Sequence, residues 1–250
     1  MTDLYYLTDD QLARIQPFFP LAHGVPRGDD RRVISGIIHV LKRGLQWRDA
    51  PREYGPHKTL YNRFKRWSER GVFDRIFTEL ASRDVPDQLQ IDATHLKAHR
   101  TAASLAKKGM FPANIGRPKG GLNSKLHAVC DGEGRPRLLC LTSGNASDFK
   151  GAAMLAPHLL PSRDLLADKG YDANWFREDL IKRGISPCIP PKRNRRQQIA
   201  YDKALYRLRH KVENMFGKLK DWRRIATRYD RKACNFLAFT LLAASMIWMR

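Results

Sequence analysis

Three acidic residues in this sequence have types and surroundings that suit metal binding. Asp92 lies inside the apolar run QLQIDATH, and Asp168 ends the apolar run LLAD. Each is expected at a strand end or in a cleft, because an uncompensated charge inside a buried strand is costly. Glu213 stands among basic residues in a segment with helical spacing. Three converging carboxylates would raise one another's pKa, and divalent cations would relieve that repulsion.

The chemistry that such carboxylates support is phosphodiester cleavage. Their oxygens suit Mg²⁺ or Mn²⁺, and two such ions can activate a water or hydroxyl and stabilise the leaving oxygen. Lys plus Arg exceed Asp plus Glu by 46 − 25 = 21, which indicates a polyanionic partner and favours nucleic acid. A membrane surface or an acidic protein is the alternative partner that net charge alone leaves open.

Each acidic residue taken alone also has an ordinary interpretation. Glu213 would be a surface ion-pair residue, and Asp92 and Asp168 would be turn or cap residues. Two other aspartates are assigned structural roles. Asp131 belongs to the DGEG hairpin turn, and Asp172 is predicted to cap the following helix.

A helix near the C-terminal third of the chain must position Glu213. At about 100° per residue, Tyr206, Arg209, Glu213 and Lys220 fall within about 60° of one another. The neighbouring stripe is apolar and consists of Leu205, Leu208, Val212, Met215, Leu219 and Trp222. If that stripe faces the core, the polar edge overlooks the strand ends, where Glu213 would meet the two aspartates.

The pattern from residue 85 onward predicts a mixed α/β fold. Three strands are followed by helix, strand, helix, strand and helix, and the second and third strands are joined as an antiparallel hairpin. This order matches a mixed sheet flanked by helices with the connectivity of a ribonuclease H-like fold. Residues 100–123, between the first two strands, are basic and glycine-rich, which favours DNA contact with disorder until binding.

Residues 1–84 contain helical patterns only. The segment HKTLYNRFKRWSERG looks like the second helix of a helix-turn-helix unit, which could lie in a major groove. Its predicted DNA contacts are basic side chains: Lys58, Arg63, Lys65 and Arg66. An ordinary three-helix cap with a solvated basic face is the alternative.

Cysteine usage and apolar segments favour a reduced, cytoplasmic protein. The four cysteines are scattered without a CxxC pair, which argues against a structural zinc or a disulfide framework. The first residues lack the pattern of a secretory signal. The apolar run at 233–249 is interrupted by Asn235, Thr240 and Ser245, so a buried helix is predicted there rather than a membrane span.

These motifs together resemble a known family. Tyr206, Arg209, Glu213 and Lys220 reproduce the signature Y-(2)-R-(3)-E-(6)-K. With QIDATH, ADKGYD and DWRRIATRYDR, they make the chain similar to DDE transposases of the bacterial insertion-sequence IS5 group (IS4/IS5-like). The resemblance runs nearly the whole length, because GLQWRDAPREYGPHKTLYNRFKRW is similar to the helical region of that group.

The resemblance implies roles for individual residues. Asp92, Asp168 and Glu213 would be the catalytic triad and would bind two Mg²⁺ or Mn²⁺ ions. DNA contacts near the cleavage point would come from Tyr206, Arg209, Lys220 and Lys169. Only 44 residues lie between the second and third acidic residues (213 − 168 − 1), too few for the β-rich insertion of some related transposases.

The implied activity is DNA transposition. Residues 1–84 would bind the terminal inverted repeats, and residues 85–250 would cut there and join the 3′-hydroxyls to target DNA. The protein would act as a homodimer or higher multimer on DNA, in the bacterial cytoplasm and at the nucleoid when bound, with no membrane partner. The alternatives are a domesticated sequence-specific DNA-binding protein and a ribonuclease H-like nuclease that does not join strands.

Overall fold

The fold is a mixed sheet flanked by helices and preceded by a helical region. The computed structural model describes residues 4–21, 28–104 and 114–249. Its helices are α1 (Asp9–Ile15), α2 (Asp30–Arg43), α3 (His57–Glu69), α4 (Val72–Ala81), α5 (Asp148–Leu155), α6 (Asn174–Lys182), α7 (Lys203–Tyr206), α8 (His210–Lys220), α9 (Arg223–Ala226) and α10 (Ala233–Trp248). Its strands are β1 (Gln88–Ala98), β2 (Asn123–Asp131), β3 (Pro136–Ser143), β4 (Asp164–Leu166), β5 (Ser186–Cys188) and β6 (Thr227–Arg228).

The sheet has the order β3-β2-β1-β4-β5, with β6 beside the last residues of β1. Strands β1, β2 and β3 pair antiparallel, whereas β1 pairs with β4, and β4 with β5, in parallel. The parallel pairs require crossover connections, which α5 and α6 supply. The predicted mixed sheet and ribonuclease H-like strand order are confirmed. Strand β1 is longer than its sequence motif suggested, and β6 extends the sheet near its end.

Local sequence explains where the first helices begin and end. Thr8 and Gln11 form a capping box at α1: the Gln11 backbone N–H donates to Thr8 Oγ1 at 3.1 Å, and the Thr8 N–H donates to Gln11 Oε1 at 3.2 Å. Helix α2 ends at Gly44, whose φ of 76° is the left-handed conformation that favours glycine. The helical region is therefore confirmed.

The connection between α2 and α3 differs from a helix-turn-helix turn. It covers residues 44–56 and contains two short 3₁₀ turns, Trp47–Asp49 and Arg52–Tyr54. A helix-turn-helix unit uses a turn of about 3–4 residues. Two prolines and two glycines in this stretch keep it from being helical, so a long irregular connection replaces the short turn.

One hydrophobic core joins the N-terminal helices to the sheet. Helix α10 packs against α3 and α4, and residues from α2, α3, α4, α8, α10 and one sheet face form a single buried cluster. Within it, Trp222 and Phe239 have ring centroids 6.0 Å apart. The apolar C-terminal run is thus a buried helix, as predicted, and no helix among the described residues could cross a membrane. The boundary at residue 84 stays a prediction.

The other sheet face has its own core, which supports the strands that carry the aspartates. It packs α5 and α6 against β1 and β4 through Leu89, Ile91, Leu165, Phe176 and other fully buried side chains. The loop after β4 is held by Asp172, which accepts hydrogen bonds from Arg177 Nε at 2.8 Å and from the Lys192 N–H at 2.8 Å. The N-cap of α6 is Ala173, so the interpretation of Asp172 as that cap is wrong.

A buried ion-pair network fixes the β2–β3 hairpin to the helices. Asp131 accepts from Arg137 Nη2 at 2.9 Å, and both side chains are nearly fully buried. Arg137 Nη1 also donates to the Ala81 carbonyl at the end of α4 at 2.6 Å. The Arg137 guanidinium lies 4.5 Å from the centroid of the Trp248 ring. Asp131 also accepts from the backbone N–H groups of Glu133 and Arg135, which confirms it as a hairpin-turn residue.

The sequence also led to predictions about the cysteines and about the basic loop at residues 100–123. All four thiols are free. Burial raises the pKa of Cys140 to about 12 and that of Cys188 to about 11, which makes both unreactive at neutral pH.

Within the loop predicted at residues 100–123, positions 105–113 lie outside the described residues. The part from residue 114 is tied to the sheet by an isolated bridge between Gly116 and Asn123.

Candidate active site

The sheet brings Asp92 and Asp168 to neighbouring positions. Strands β1 and β4 are parallel, with Gln88 opposite Asp164 and Gln90 opposite Leu166. Continuing that register by two residues places Asp92 opposite Asp168, beyond the carboxyl end of β4. Side chains two residues apart along a strand lie on the same face, so both aspartates occupy one edge of one face. The two motifs are 76 residues apart in sequence (168 − 92), and the parallel pairing makes them adjacent.

A tight turn holds the Asp168 side chain. Asp168 begins the 3₁₀ turn Lys169–Tyr171, and its Oδ1 accepts the Gly170 N–H at 2.8 Å. A Cβ on Gly170 would lie 2.8 Å from that same oxygen, so a larger residue would displace the carboxylate. The glycine in ADKGYD therefore has a positioning role next to the acidic residue.

Helix α8 lies along β1 and places Glu213 near the aspartates. At its start, the Val212 N–H donates to Gln90 Oε1 at 3.1 Å, and at its end Lys220 Nζ donates to Thr94 Oγ1 at 2.7 Å. Val212 is buried, so the next residue, Glu213, turns outward at the edge of the helix. The predicted polar edge thus faces the strand that carries Asp92.

Arg209 connects two of the three acidic residues. Its Nη1 donates to Asp92 Oδ2 at 2.9 Å, and its Nη2 pairs with the Glu213 carboxylate. Burial raises the pKa of Asp92 above its usual range, and the nearby Asp168 carboxylate acts in the same direction, whereas Arg209 opposes the rise. In this structure the guanidinium supplies the positive charge that two neighbouring carboxylates require.

The segment before α8 is not one continuous α-helix. Helix α7 ends at Tyr206, a 3₁₀ turn covers Arg207–Arg209, and α8 begins at His210. The Tyr206 ring packs edge-on against Tyr201 at 5.5 Å, and burial raises the pKa of its phenol. The tighter turn changes the angular position of Tyr206, but Arg209 and Lys220 both still reach side chains of β1.

Two residues near this site were missed by the sequence interpretation. Asp148, at the start of α5, pairs with Lys125 Nζ at 2.9 Å, and its Oδ2 would lie 3.6 Å from a Cβ on Gly170. Tyr171 is buried, and its hydroxyl has no hydrogen-bond partner among the described residues. Burial and the carboxylates of Asp148, Asp92 and Asp168 raise the pKa of Tyr171. The sequence signal that could have identified Tyr171 is its position in the motif ADKGYD, three residues after Asp168.

The donor set fits a divalent metal in kind. Carboxylate oxygens on adjacent strands, with a third on the neighbouring helix, are hard ligands of the type that Mg²⁺ and Mn²⁺ prefer. As arranged, no three acidic, histidine or cysteine side chains in the described ranges lie close enough to hold one ion. Arg209 lies between Asp92 and Glu213, so a metal there requires this guanidinium to move.

The predicted DNA contacts on α3 have different environments. Lys58 and Arg66 are exposed and Lys65 is half-buried, so their charges can be reached from solvent. Arg63 is buried, pairs with Asp30 of α2, and lies 5.1 Å from the Trp67 ring centroid. Arg63 thus fixes α3 against α2. Lys169, beside Asp168, is exposed.

Comparisons with known proteins give matches along most of the chain. A family model for transposases of the IS4/5 family matches residues 7–77, and a transposase DDE domain model matches residues 84–248. The chain is 36% identical over 132 residues to a Brucella ovis protein named as a transposase for insertion sequence element IS6501, covering 52% of this chain and 100% of that protein. It is 29% identical over 188 residues to a Burkholderia cepacia protein named as a transposase for IS402, covering 71% and 85%.

A solved structure shares the fold. The piggyBac transposase, in a synaptic complex with hairpin DNA, superposes with a TM-score of 0.54 and 9% sequence identity. The match covers 95% of this chain and 69% of that one. At this identity the likeness concerns the fold alone, and it agrees with the ribonuclease H-like strand order described above.

Proposed function

Because the chain belongs to the DDE transposases of the IS4/5 family, we propose that it cuts and joins DNA at the ends of an insertion sequence. It binds the terminal inverted repeats, hydrolyses the phosphodiester at each end, and joins the exposed 3′-hydroxyls to target DNA. The observation that carries this proposal is the position of Asp92 beside Asp168 across a parallel strand pair, with Glu213 on the adjoining helix.

The three carboxylates would hold two Mg²⁺ or Mn²⁺ ions. Such ions, when bound, lower the pKa of the attacking water or hydroxyl and stabilise charge on the leaving oxygen. The Asp92 carboxylate is held by the Ala93 N–H and by Arg209, and the Asp168 carboxylate is held by the Gly170 turn. Glu213 lies on the more exposed helix edge and completes the set once Arg209 releases it.

Basic side chains beside the carboxylates would bind the DNA backbone. Arg209, once displaced from the carboxylates, would form an ion pair with a phosphate at the cut, and Tyr206 lies next to it. Lys220 and Lys169 flank the same edge, and the exposed basic side chains of α3 would bind the DNA further from the cut. Because a cut at both element ends requires two sites, the active form would be a homodimer or higher multimer on DNA in the bacterial cytoplasm.

Two other functions are compatible with the fold. A domesticated DNA-binding protein would bind the ends without cutting them, and a ribonuclease H-like nuclease would cut without joining. The intact acidic set Asp92, Asp168 and Glu213 favours retained chemistry over the first. Cutting and joining use the same carboxylates, so only the reaction products separate the second.

The test is a reaction with the element's own DNA. Purified protein is incubated with Mg²⁺ or Mn²⁺ and labelled duplexes that carry the ends, beside the Glu213→Gln variant. Nicks at the ends followed by joined products, present with wild type and absent with the variant, would support transposition. Binding without products from either protein would favour the DNA-binding alternative, and cleavage without joining would favour the nuclease.

Lys220→Ala is expected to weaken DNA binding and to reduce the salt dependence by about one charge. A lysine that neutralises one phosphate contributes close to one unit to the slope of log affinity against log salt. The measurement is the affinity for the end duplex at several salt concentrations. Lys218→Ala is the matched control, because Lys218 is exposed on the same helix and lies about 160° around it from Lys220. A slope that equals that of wild type would place Lys220 outside the DNA contact.

Arg209→Gln is expected to tighten Mn²⁺ binding about tenfold in the absence of DNA. The Arg209 guanidinium is hydrogen-bonded to the Asp92 and Glu213 carboxylates. These charge-assisted hydrogen bonds must be broken before an ion can bind the carboxylate oxygens. The measurement is a Mn²⁺ titration followed by electron paramagnetic resonance, with Arg207→Gln as the exposed neighbouring control. Weaker Mn²⁺ binding by Arg209→Gln would instead mean that Arg209 aligns the carboxylates for the metal.

A further inference from the structure

A cavity of about 750 Å³ lies between the N-terminal helices and the far end of β1. This cavity, the Trp47 pocket, is separate from the carboxylates. Its walls come from distant parts of the chain: Trp47 follows α2, Tyr61 belongs to α3, His99 follows β1 and Tyr229 follows β6. Because these segments share one core, the pocket is built on packed elements rather than on a free loop.

Two pairs of aromatic rings line the Trp47 pocket. Trp47 and Tyr61 are in edge-to-face contact, with ring centroids 5.6 Å apart. In another part of the lining, Tyr229 packs against His99 with centroids 4.9 Å apart. Tyr61 and Tyr229 are 40% and 43% exposed, which leaves large ring faces open to a ligand. Such faces suit a flat, aromatic group.

The position of Trp47 is fixed from behind. Its ring packs against Phe64 at 5.3 Å, and the Arg224 guanidinium lies 5.6 Å from its centroid. Arg224 is itself held by the Leu45 carbonyl at 3.1 Å and by Asp230 at 3.6 Å. The indole is therefore preorganised, and a ligand would lose little free energy in ordering it.

The charged side chains that line the Trp47 pocket are all basic. Among the described residues its lining contains no carboxylate, and its basic side chains are Arg48, His57, Lys58, His99 and Arg224. Lys58 and His57 make no ion pair with any residue in the described ranges. Lys58, Tyr61 and Lys65 also form one stripe of α3, at about 100° per residue. The pocket thus opens beside the basic face assigned above to DNA.

We propose that the Trp47 pocket takes one nucleobase of the bound DNA, unstacked from its neighbours and packed against the aromatic rings of the lining. A free anion would not need the four rings, and an apolar ligand would not need the basic groups. A nucleotide within DNA presents both a π face and flanking phosphates. Lys58 and His57 are placed to contact those phosphates. This inference rests on the proposed function, because it requires that the chain bind DNA.

The distance from the carboxylates limits which nucleotide is bound. His99 follows Asp92 by seven residues (99 − 92), along β1 and one step beyond it, and at ~3.3 Å per residue that path covers roughly 23 Å. Base pairs of a duplex rise ~3.4 Å each, so the captured base lies roughly seven pairs from the cut. The captured base is therefore expected within about twelve base pairs of the cut end of the DNA.

The experiment scans single base removals through the end duplex. At each of about twelve positions, one duplex lacks the base and another lacks its pairing partner. Removing the partner of the captured base is expected to tighten wild-type binding about tenfold, because the base no longer has to be unpaired. Removing the captured base itself gives no such gain. Tyr229→Ala should abolish the gain while still binding the paired duplex.

Trp175→Ala is the matched control for Tyr229→Ala. Trp175 is 42% exposed and lies on α6, outside the Trp47 pocket, so its variant should keep the full gain. Gains of equal size at every position, or a gain that Tyr229→Ala retains, would overturn the pocket assignment while leaving DNA binding intact. Failure of the wild type to bind any end duplex would instead contradict the proposed function, and the pocket assignment with it.

Discussion

Asp168→Asn is expected to lower end cleavage by at least about 10³-fold while leaving DNA affinity nearly unchanged. The amide keeps the shape of the carboxylate, and its oxygen can still accept the Gly170 N–H. What it loses is the negative charge that a divalent ion requires. Metal stabilisation of the transition state is worth several kcal/mol, and each 1.4 kcal/mol changes the rate about tenfold. Asp92→Asn should give a loss of similar size.

The measurement is single-turnover cleavage of labelled end DNA in Mg²⁺ and in Mn²⁺. Asp179→Asn is the control, because that aspartate lies on the outer surface of α6 and pairs only with Arg183 among the described residues. Affinity is measured in parallel by gel shift without metal. If Asp168→Asn cleaved within tenfold of wild type, Asp168 would be removed from the metal site.

Asp131→Ala is expected to lower the free energy of unfolding by about 3 kcal/mol. The substitution leaves the buried Arg137 guanidinium without its buried partner, and an uncompensated buried charge typically costs about 3–5 kcal/mol. The lower end of that range applies because Asp84 still pairs with Arg137, at 2.6 Å. Two backbone N–H groups of the hairpin turn lose their acceptor as well.

Urea unfolding followed by tryptophan fluorescence measures this effect. Glu133→Ala is the control in the same hairpin, because Glu133 is exposed and its contact with Arg135, at 3.4 Å, is a surface ion pair worth under about 1 kcal/mol. The denaturant midpoint should fall with the slope unchanged. Equal effects of the two variants would mean that Asp84 alone compensates Arg137.

The sheet and the positions of its acidic residues could be predicted because local patterns carry them. The apolar run that ends in Asp168 and the hairpin marked by Asp-Gly indicate where two strands stop, whereas Asp92 lies inside β1, which continues to Ala98. Parallel pairing of β1 with β4 then brings Asp92 and Asp168 together. Helical spacing likewise predicted which edge of α8 faces the strands. These features depend on periodicity over a few residues, which a sequence displays directly.

The remaining features depend on contacts between distant residues. Helical spacing gives the face on which Arg209 lies but not its rotamer, so the pairing with Asp92 and Glu213 was not predicted. Arg63 looked like its neighbours on α3, and only the approach of Asp30 on α2 shows that it is buried. Asp148 lies near Gly170 only because α5 packs beside the turn after β4, and its local sequence shows no more than the first turn of a helix capped by Ser147. The Trp47 pocket unites four separate segments.

The shared core between the N-terminal helices and the sheet has a consequence for the spacing of sites on DNA. On the proposed function, the basic face of α3 and the carboxylates are held a fixed distance apart by close packing, without a flexible linker that could stretch. Inserting five base pairs between the recognised sequence and the cut turns the DNA by about half a helical turn. Inserting ten restores the rotation but moves the cut by about 34 Å. The protein would cut only at a fixed distance from the recognised sequence. DNA with either insertion should therefore not be cut at the displaced end.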